Sequence, residues 1–310
     1  MSEIVEVTNI KEYVEAIIMD NENNSNEYYY RGEPRFYYKL LPSLARNTHI
    51  LSESKLINEA VKLYPHVFKN ILTPIELLIT LQHYGIPTRL LDITSNAFVA
   101  LFFACSNPIN EKNEEYQEEL DGKVYIFHNL NKTPYDGLEN ILARTYQLPD
   151  EVVDLEKYTE FIKFYSEYKV LQASMNFEII ENINNIAFND DYIKSEENKK
   201  IINAFNDISY NPILINPPML FDRIRLQAGN FMLFFNFINK DANNTYSLIE
   251  SQINKLDENH KYIKKIIKVK DSKKMEILKQ LKLFNISEKT LFYDNVDKNC
   301  EIIKRSICGE

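Results

Sequence analysis

Residues 82–104 read QHYGIPTRLLDITSNAFVALFFA, a run in which ionisable side chains lie among groups typical of a protein core. Gly85 and Pro87 are suited to ending one helix, and the residues after them favour a short strand. Residues 94–96 offer caps for a second helix, which is apolar on nearly every side and is expected to be buried. This segment therefore predicts a helix–strand–helix unit at the centre of the domain, with polar groups at its junctions.

Strand patterns lie on both sides of this unit and are separated by uneven helical blocks. They are predicted at residues 28–32, 89–93, 123–128, 213–215 and 230–238. Such spacing favours an α+β fold, with a split or strongly twisted mixed sheet surrounded by helices. Residues 138–208 are rich in Asn, Glu and Lys and predict a helical insertion. With no repeat and no Pro/Gly-rich linker, we expect one domain over residues 1–310, with a core at about 28–306.

The composition excludes several classes of function. The chain has 310 residues, a net charge of −9 and a pI of about 5.3, which argues against non-specific nucleic-acid binding. It has no apolar run long enough for a membrane span and no signal-peptide pattern at its start, so we expect a cytoplasmic protein without a membrane partner. Three cysteines and five scattered histidines lack metal-ligand spacing, and no metal cofactor is predicted.

A cluster of ionisable residues follows the first helix of residues 82–104 and allows two interpretations. In the functional one, His83 is a general acid or base oriented by Asp92, and both are catalytic. In the structural one, Gln82, Arg89 and Asp92 form a polar network that holds the helix–strand junction, with Arg89 and Asp92 both largely buried. A hydrolase or nuclease built on His83 and Asp92 has the weakest support, because no nucleophile accompanies them in a recognisable motif.

Two further segments are candidate binding elements. Tyr30-Arg31-Gly32 places a guanidinium at the end of a strand, where its planar set of donors matches a phosphate, and Gly32 allows close approach of a ligand. Thr94 opens the buried helix, so its hydroxyl and the nearby N–H groups can face a ligand. Simple helix capping explains Thr94 equally well.

Residues 222–231 carry a third polar group. Polar and apolar residues alternate there before a turn at Gly229, so we predict a strand that presents Arg223, Arg225 and Gln227 on one face. These three side chains either face a ligand or lie on a solvent-exposed edge strand.

These motifs resemble the FRG family, which is named for an aromatic-Arg-Gly motif. The residues that carry the resemblance are Tyr30-Arg31-Gly32, residues 41–44 with Arg46, residues 82–94 and 100–104, then Arg223-Ile224, Gln227, Gly229, Phe231 and residues 290–292. The family occurs in bacteria and phages and its biochemical activity is poorly defined. The resemblance implies a bacterial or phage protein, with a toxin or phage-defence effector as the expected context.

The order of the motifs is also similar to that of ADP-ribosyltransferases. This second resemblance implies NAD or a related nucleotide as the ligand, with Arg31 on phosphate, Thr94 on ribose, and Arg223 and Gln227 on the distal side of the pocket. Those enzymes carry a catalytic Glu where this chain has Arg223, and Asp92 is the alternative carboxylate. The alternative hypothesis is a non-catalytic protein-interaction module on the same scaffold. If a ligand is bound, Arg31, Thr94, Arg223 and Gln227 should surround one concave site.

Overall fold

The computed structural model describes residues 2–21, 27–46, 49–68, 71, 73–106, 120–132, 211–234, 236–240, 246–253 and 256–292. The strands within these ranges are β1 (Glu3–Val7), β2 (Tyr29–Glu33), β3 (Leu90–Thr94), β4 (Gly122–Phe127), β5 (Asn131–Lys132), β6 (Ile213–Ile215), β7 (Gly229–Leu233), β8 (Asn236–Lys240), β9 (Tyr246–Ile253) and β10 (Ile263–Val269). The α-helices are α1 (Ile10–Asn21), α2 (Ser43–Arg46), α3 (Glu53–Leu63), α4 (Pro65–Phe68), α5 (Pro74–His83), α6 (Ala97–Cys105), α7 (Asp222–Leu226), α8 (Asp271–Lys282) and α9 (Glu288–Leu291), with a 3₁₀ turn at His49–Ser52. The predicted helical insertion at 138–208 lies outside the described residues.

Eight of the strands form one mixed sheet in the order β1-β10-β4-β2-β3-β7-β6-β5, while β8 and β9 pair separately. The β1–β10 and β5–β6 pairs are parallel, and the other pairs in the large sheet are antiparallel. Helices pack against this sheet, so the predicted α+β architecture is confirmed. No described helix is long and apolar enough to cross a membrane.

The sheet is weakly joined at its centre, between β2 and β3. These two strands share a single residue pair, Tyr30 with Thr94. By contrast, β2 pairs with β4 from Tyr29 to Glu33, and β3 pairs with β7 along its whole length. The two halves of the sheet therefore part just beyond Tyr30 and Thr94, which leaves an opening in the middle of the fold.

Two helical layers cover the two halves of the sheet. Apolar residues of α1, α6 and α8 pack with β1, β4 and β10 in one core, and those of α3, α4 and α5 pack with β6 and β7 in another. Helix α6 lies unusually close to the strands. A Cβ added to Gly32 would lie 1.8 Å from the Ala100 carbonyl oxygen, and one added to Gly122 would lie 2.1 Å from that of Ala104. Only glycine at these strand positions allows this packing distance.

The junctions of residues 82–104 have the predicted local structure. Thr73 and Glu76 complete a reciprocal capping box at the start of α5, and Gly85 follows the helix with a φ of 81°. The side chain of Asn96 accepts hydrogen bonds from the N–H groups of Phe98 and Val99, so Asn96 caps α6. These local interactions fix the direction of β3 between the two helices.

Candidate functional site

A cavity of about 420 Å³ opens where β2 and β3 part. Its walls come from both halves of the sheet, from the end of α5 and from α7. Eight of the sequence-predicted residues line it, namely Arg31, Gly32, Gln82, His83, Asp92, Thr94, Arg223 and Gln227, whereas Arg89 does not. The four residues expected around one concave site are therefore brought together.

Arg31 bridges the gap between the two strands. Its Nε donates to Glu33 Oε1 at 2.6 Å, and its Nη1 donates to the backbone oxygen of Asp92 on β3. Burial opposes the charge of Arg31, but the negative charges of Glu33 and Asp92 outweigh it and raise the guanidinium pKa. The Arg31 guanidinium is thus a cation that is held by Glu33 and by the Asp92 backbone, and it lines the cavity.

Arg46 is a second cation at the cavity, and no local sequence pattern marks it as a site residue. It ends the short helix α2, and its Nε donates to the Leu41 carbonyl oxygen at 3.0 Å. Burial and the positive charge of Arg31 lower the pKa of Arg46. The two guanidinium groups are therefore close enough to repel each other. Its only sequence signal was its place in the family resemblance.

Asp92 has a different environment from the predicted one, since its side chain is exposed rather than buried. Its Oδ1 accepts a hydrogen bond from Gln82 Nε2 at 2.9 Å, and Gln82 Oε1 in turn accepts one from the hydroxyl of Thr88. Thr88 is itself buried and fixed by Ser43. The amide of Gln82 is thereby oriented so that its N–H donor faces the carboxylate.

Gln82 and Asp92 of the predicted network are hydrogen-bonded to each other, whereas Arg89 has other partners. Arg89 is buried, as expected, but its guanidinium pairs with Glu53, with Nε 2.8 Å from Oε1. Its Nη1 also donates to the Phe234 carbonyl oxygen at 3.1 Å. Side chains along an extended segment point alternately to opposite faces, and Arg89, just before β3, is three positions from Asp92. Arg89 is therefore directed away from the cavity that Asp92 lines.

His83 forms part of an aromatic wall. Its ring stacks on that of Phe221 with centroids 3.9 Å apart and planes 3° from parallel. The Asp92 carboxylate accepts a hydrogen bond from Gln82, and the catalytic roles of His83 and Asp92 stay a prediction. Phe221 carries no sequence pattern that would have identified it as a cavity residue.

Residues 222–226 form helix α7, and the strand predicted there is wrong. Two apolar residues spaced by two positions are too few to separate a strand from one turn of helix. As a result Arg225 turns away from the cavity and pairs with Asp222 at 2.8 Å. Arg223 and Gln227 are four positions apart and share one helical side.

Three of the predicted ligand contacts also have structural partners. The guanidinium of Arg223 lies 5.2 Å from the ring centroid of Phe292, and Gln227 Nε2 donates to the Leu291 carbonyl oxygen at 3.0 Å. The hydroxyl of Thr94 donates to the backbone oxygen of Gln227 at 2.7 Å. These contacts join β3, α7 and α9. Gly32 likewise serves the close packing of α6.

Comparison with known proteins finds one match, to part of the chain. Residues 26–113 match the model of the FRG domain, and this segment holds Arg31, Arg46, Gln82 and Asp92. The cavity wall formed by α7 lies outside the matched segment. No curated protein and no solved structure matches the chain.

The described residues contain no group of three or more His, Cys, Asp or Glu side chains arranged to hold a metal ion. What the cavity offers instead is a pair of arginines, a hydrogen-bonded carboxylate and a flat aromatic wall.

Proposed function

We propose that the cavity binds a nucleotide-type phosphate ligand such as NAD, and that the protein is ADP-ribosyltransferase-like. The observation that carries this proposal is the convergence of Arg31 and Arg46 with Asp92 in one cavity between the halves of the sheet. A volume of about 420 Å³ lies within the range of about 300–1,000 Å³ that is usual for small-molecule sites.

The paired arginines support an anionic ligand. Two guanidinium groups that repel each other are stabilised when an anion lies between them, because each then gains an attractive partner. Arginine also matches phosphate oxygens in a bidentate manner. Arg31 is already fixed by Glu33 and by the Asp92 backbone, so its remaining N–H donors are held in place before a ligand arrives.

The aromatic wall supports a ligand that also carries flat rings. His83 and Phe221 present a stacked pair, and Tyr38 and Phe231 line the same cavity. Aromatic faces bind nucleobases by stacking, which is worth about 1–3 kcal/mol per base. A ligand with both phosphates and aromatic rings can therefore contact arginines with its phosphates and aromatic side chains with its rings in the same cavity.

Asp92 is the carboxylate that this proposal assigns to chemistry. Breaking the bond between nicotinamide and ribose develops positive charge on the ribose, and a carboxylate aimed at that position stabilises it. Glu33 is buried and paired with Arg31, whereas Asp92 is exposed to the cavity. A toxin or phage-defence role would suit such an activity and is part of the proposal.

Calorimetric titration with NAD, ADP-ribose and ATP tests the proposal. We expect binding by at least one of the three, and Arg46→Gln should weaken it by about tenfold or more, since a charge-assisted hydrogen bond contributes about 1.5–3 kcal/mol. Arg225→Gln is the matched control, because Arg225 is exposed and does not line the cavity. Absence of binding at millimolar concentration would overturn the proposal in favour of a protein-interaction module.

A further inference from the structure

The charges around the cavity are mixed, and their placement restricts the ligand further. Among the described residues that line it are three arginines and two carboxylates: Arg31, Arg46, Arg223, Glu33 and Asp92. The Glu33 charge is compensated by Arg31 within a buried pair. The Asp92 carboxylate forms no ion pair with a described cation, although its charge also acts on Arg31 and Arg46 from within the same cavity.

The Asp92 carboxylate has one oxygen committed and one available. Gln82 donates to Oδ1 at 2.9 Å, and no described residue donates to Oδ2. The buried Thr88 holds the Gln82 amide in this orientation. The carboxylate is therefore kept in place on β3, while the Arg31 side chain reaches across from β2 to the Asp92 backbone oxygen.

From this arrangement, and resting on the proposed function, we infer that the cavity selects a phosphate ligand that also carries a fixed positive charge, such as the pyridinium ring of NAD⁺. The phosphates bind Arg31 and Arg46, and the cationic ring lies against Asp92. A ligand that is anionic along its whole length, such as ATP, places like charge beside Asp92 and loses affinity.

NAD⁺ and NADH provide a matched pair of probes. Reduction removes the positive charge of the nicotinamide ring and leaves the diphosphate and the adenosine unchanged. Selection by charge therefore predicts that the full chain binds NAD⁺ about tenfold more tightly than NADH, while a site that recognises only phosphate and adenine binds both alike.

The variant that isolates the effect is Asp92→Asn. The amide oxygen of Asn still accepts the Gln82 hydrogen bond, so the local structure is kept while the negative charge is lost. We expect the NAD⁺/NADH affinity ratio to fall to nearly one, mainly through weaker binding of NAD⁺. Asp222→Asn is the matched control, because Asp222 is an exposed carboxylate outside the cavity lining, and its ratio should equal that of the wild type.

Calorimetry of the three proteins with NAD⁺, NADH and ADP-ribose separates the outcomes. A tenfold preference for NAD⁺ that disappears in Asp92→Asn supports the inference. Equal binding of NAD⁺ and NADH by the wild type, or a preference that Asp92→Asn leaves unchanged, overturns the inference and leaves the proposed function in place. If no probe binds, the proposed function fails and the inference fails with it.

Discussion

Arg89 and Asp92 lie three positions apart with opposite charges, and each is held by a different partner. Arg89 is buried against Glu53 and the Phe234 carbonyl oxygen, whereas Asp92 is exposed and held by Gln82. A buried ion pair that loses one member leaves the other charge without compensation. The stability of this region therefore depends on Arg89 and Glu53, and Asp92 is left free to act in the cavity.

Replacing Glu53 by Ala should lower the free energy of unfolding by about 3–5 kcal/mol, because the Arg89 guanidinium stays buried without its partner. Asp92→Asn should change it by less than about 1 kcal/mol, since the residue is exposed and its hydrogen bond from Gln82 is kept. Urea unfolding of both variants checks this difference. Equal losses in the two variants would show that Asp92 is also a structural residue.

Strand β2 and helix α6 pack closely together, and both contribute residues to the cavity lining. Their approach is possible because Gly32 faces the Ala100 carbonyl oxygen without a side chain between them. The position of Arg31, the residue before Gly32, depends on this contact. The glycine of the aromatic-Arg-Gly motif thus has a packing role, while the arginine lines the cavity.

Gly32→Ala should destabilise the protein by about 2 kcal/mol or more, because the added Cβ would lie 1.8 Å from a backbone oxygen and α6 must move. Gly229→Ala is a suitable control on the other half of the sheet. A Cβ there meets its nearest atom, the Ile224 carbonyl oxygen, at 3.4 Å, which is ordinary contact. Thermal melting of the two variants makes the comparison, and a Gly32→Ala protein that melts like the wild type would refute the packing role.

Individual helices and strands were predicted correctly from the sequence where the pattern that specifies them lies within a few neighbouring residues. The end of α5 at its glycine and the buried helix α6 each depend on residues within a few positions of one another. Helix α7 was predicted as a strand because five residues hold too little periodicity to separate the two structures. The Glu53–Arg89 pair joins residues 36 positions apart, and no local pattern indicates such a contact.

At the scale of the whole molecule, the split of the sheet creates the cavity. A mixed sheet, either split or strongly twisted, was predicted from the uneven order of strands and helices, but the position of the opening depends on which strands are neighbours. Arg46 and Phe221 reach the cavity from segments distant in sequence, so they were not identified as site residues. Arg31, Gln82 and Asp92 were identified because their charge or polarity is unusual in apolar surroundings.

The buried thiol of Cys105 leads us to expect that the free energy of unfolding depends on pH in the alkaline range. Burial raises the pKa of the Cys105 thiol from its ordinary value of 9.0 to about 12. Between these values the folded state keeps a proton that the unfolded state releases, so the free energy of unfolding falls as pH rises from 9 to about 12. Cys105→Ala should make this decline shallower, most clearly between pH 9 and 10, where tyrosines contribute less. Urea unfolding over this pH range measures both slopes, and identical slopes would contradict the assignment.

The most direct test of the account is a crystal structure of the protein soaked with NAD⁺ at millimolar concentration. We predict that the diphosphate lies between Arg31 and Arg46 in the opening of the sheet, with a ring of the ligand against His83 or Phe221. An empty cavity in crystals whose cavity is open to solvent, or a ligand bound elsewhere on the protein, would contradict the claim that the split between β2 and β3 is a nucleotide site.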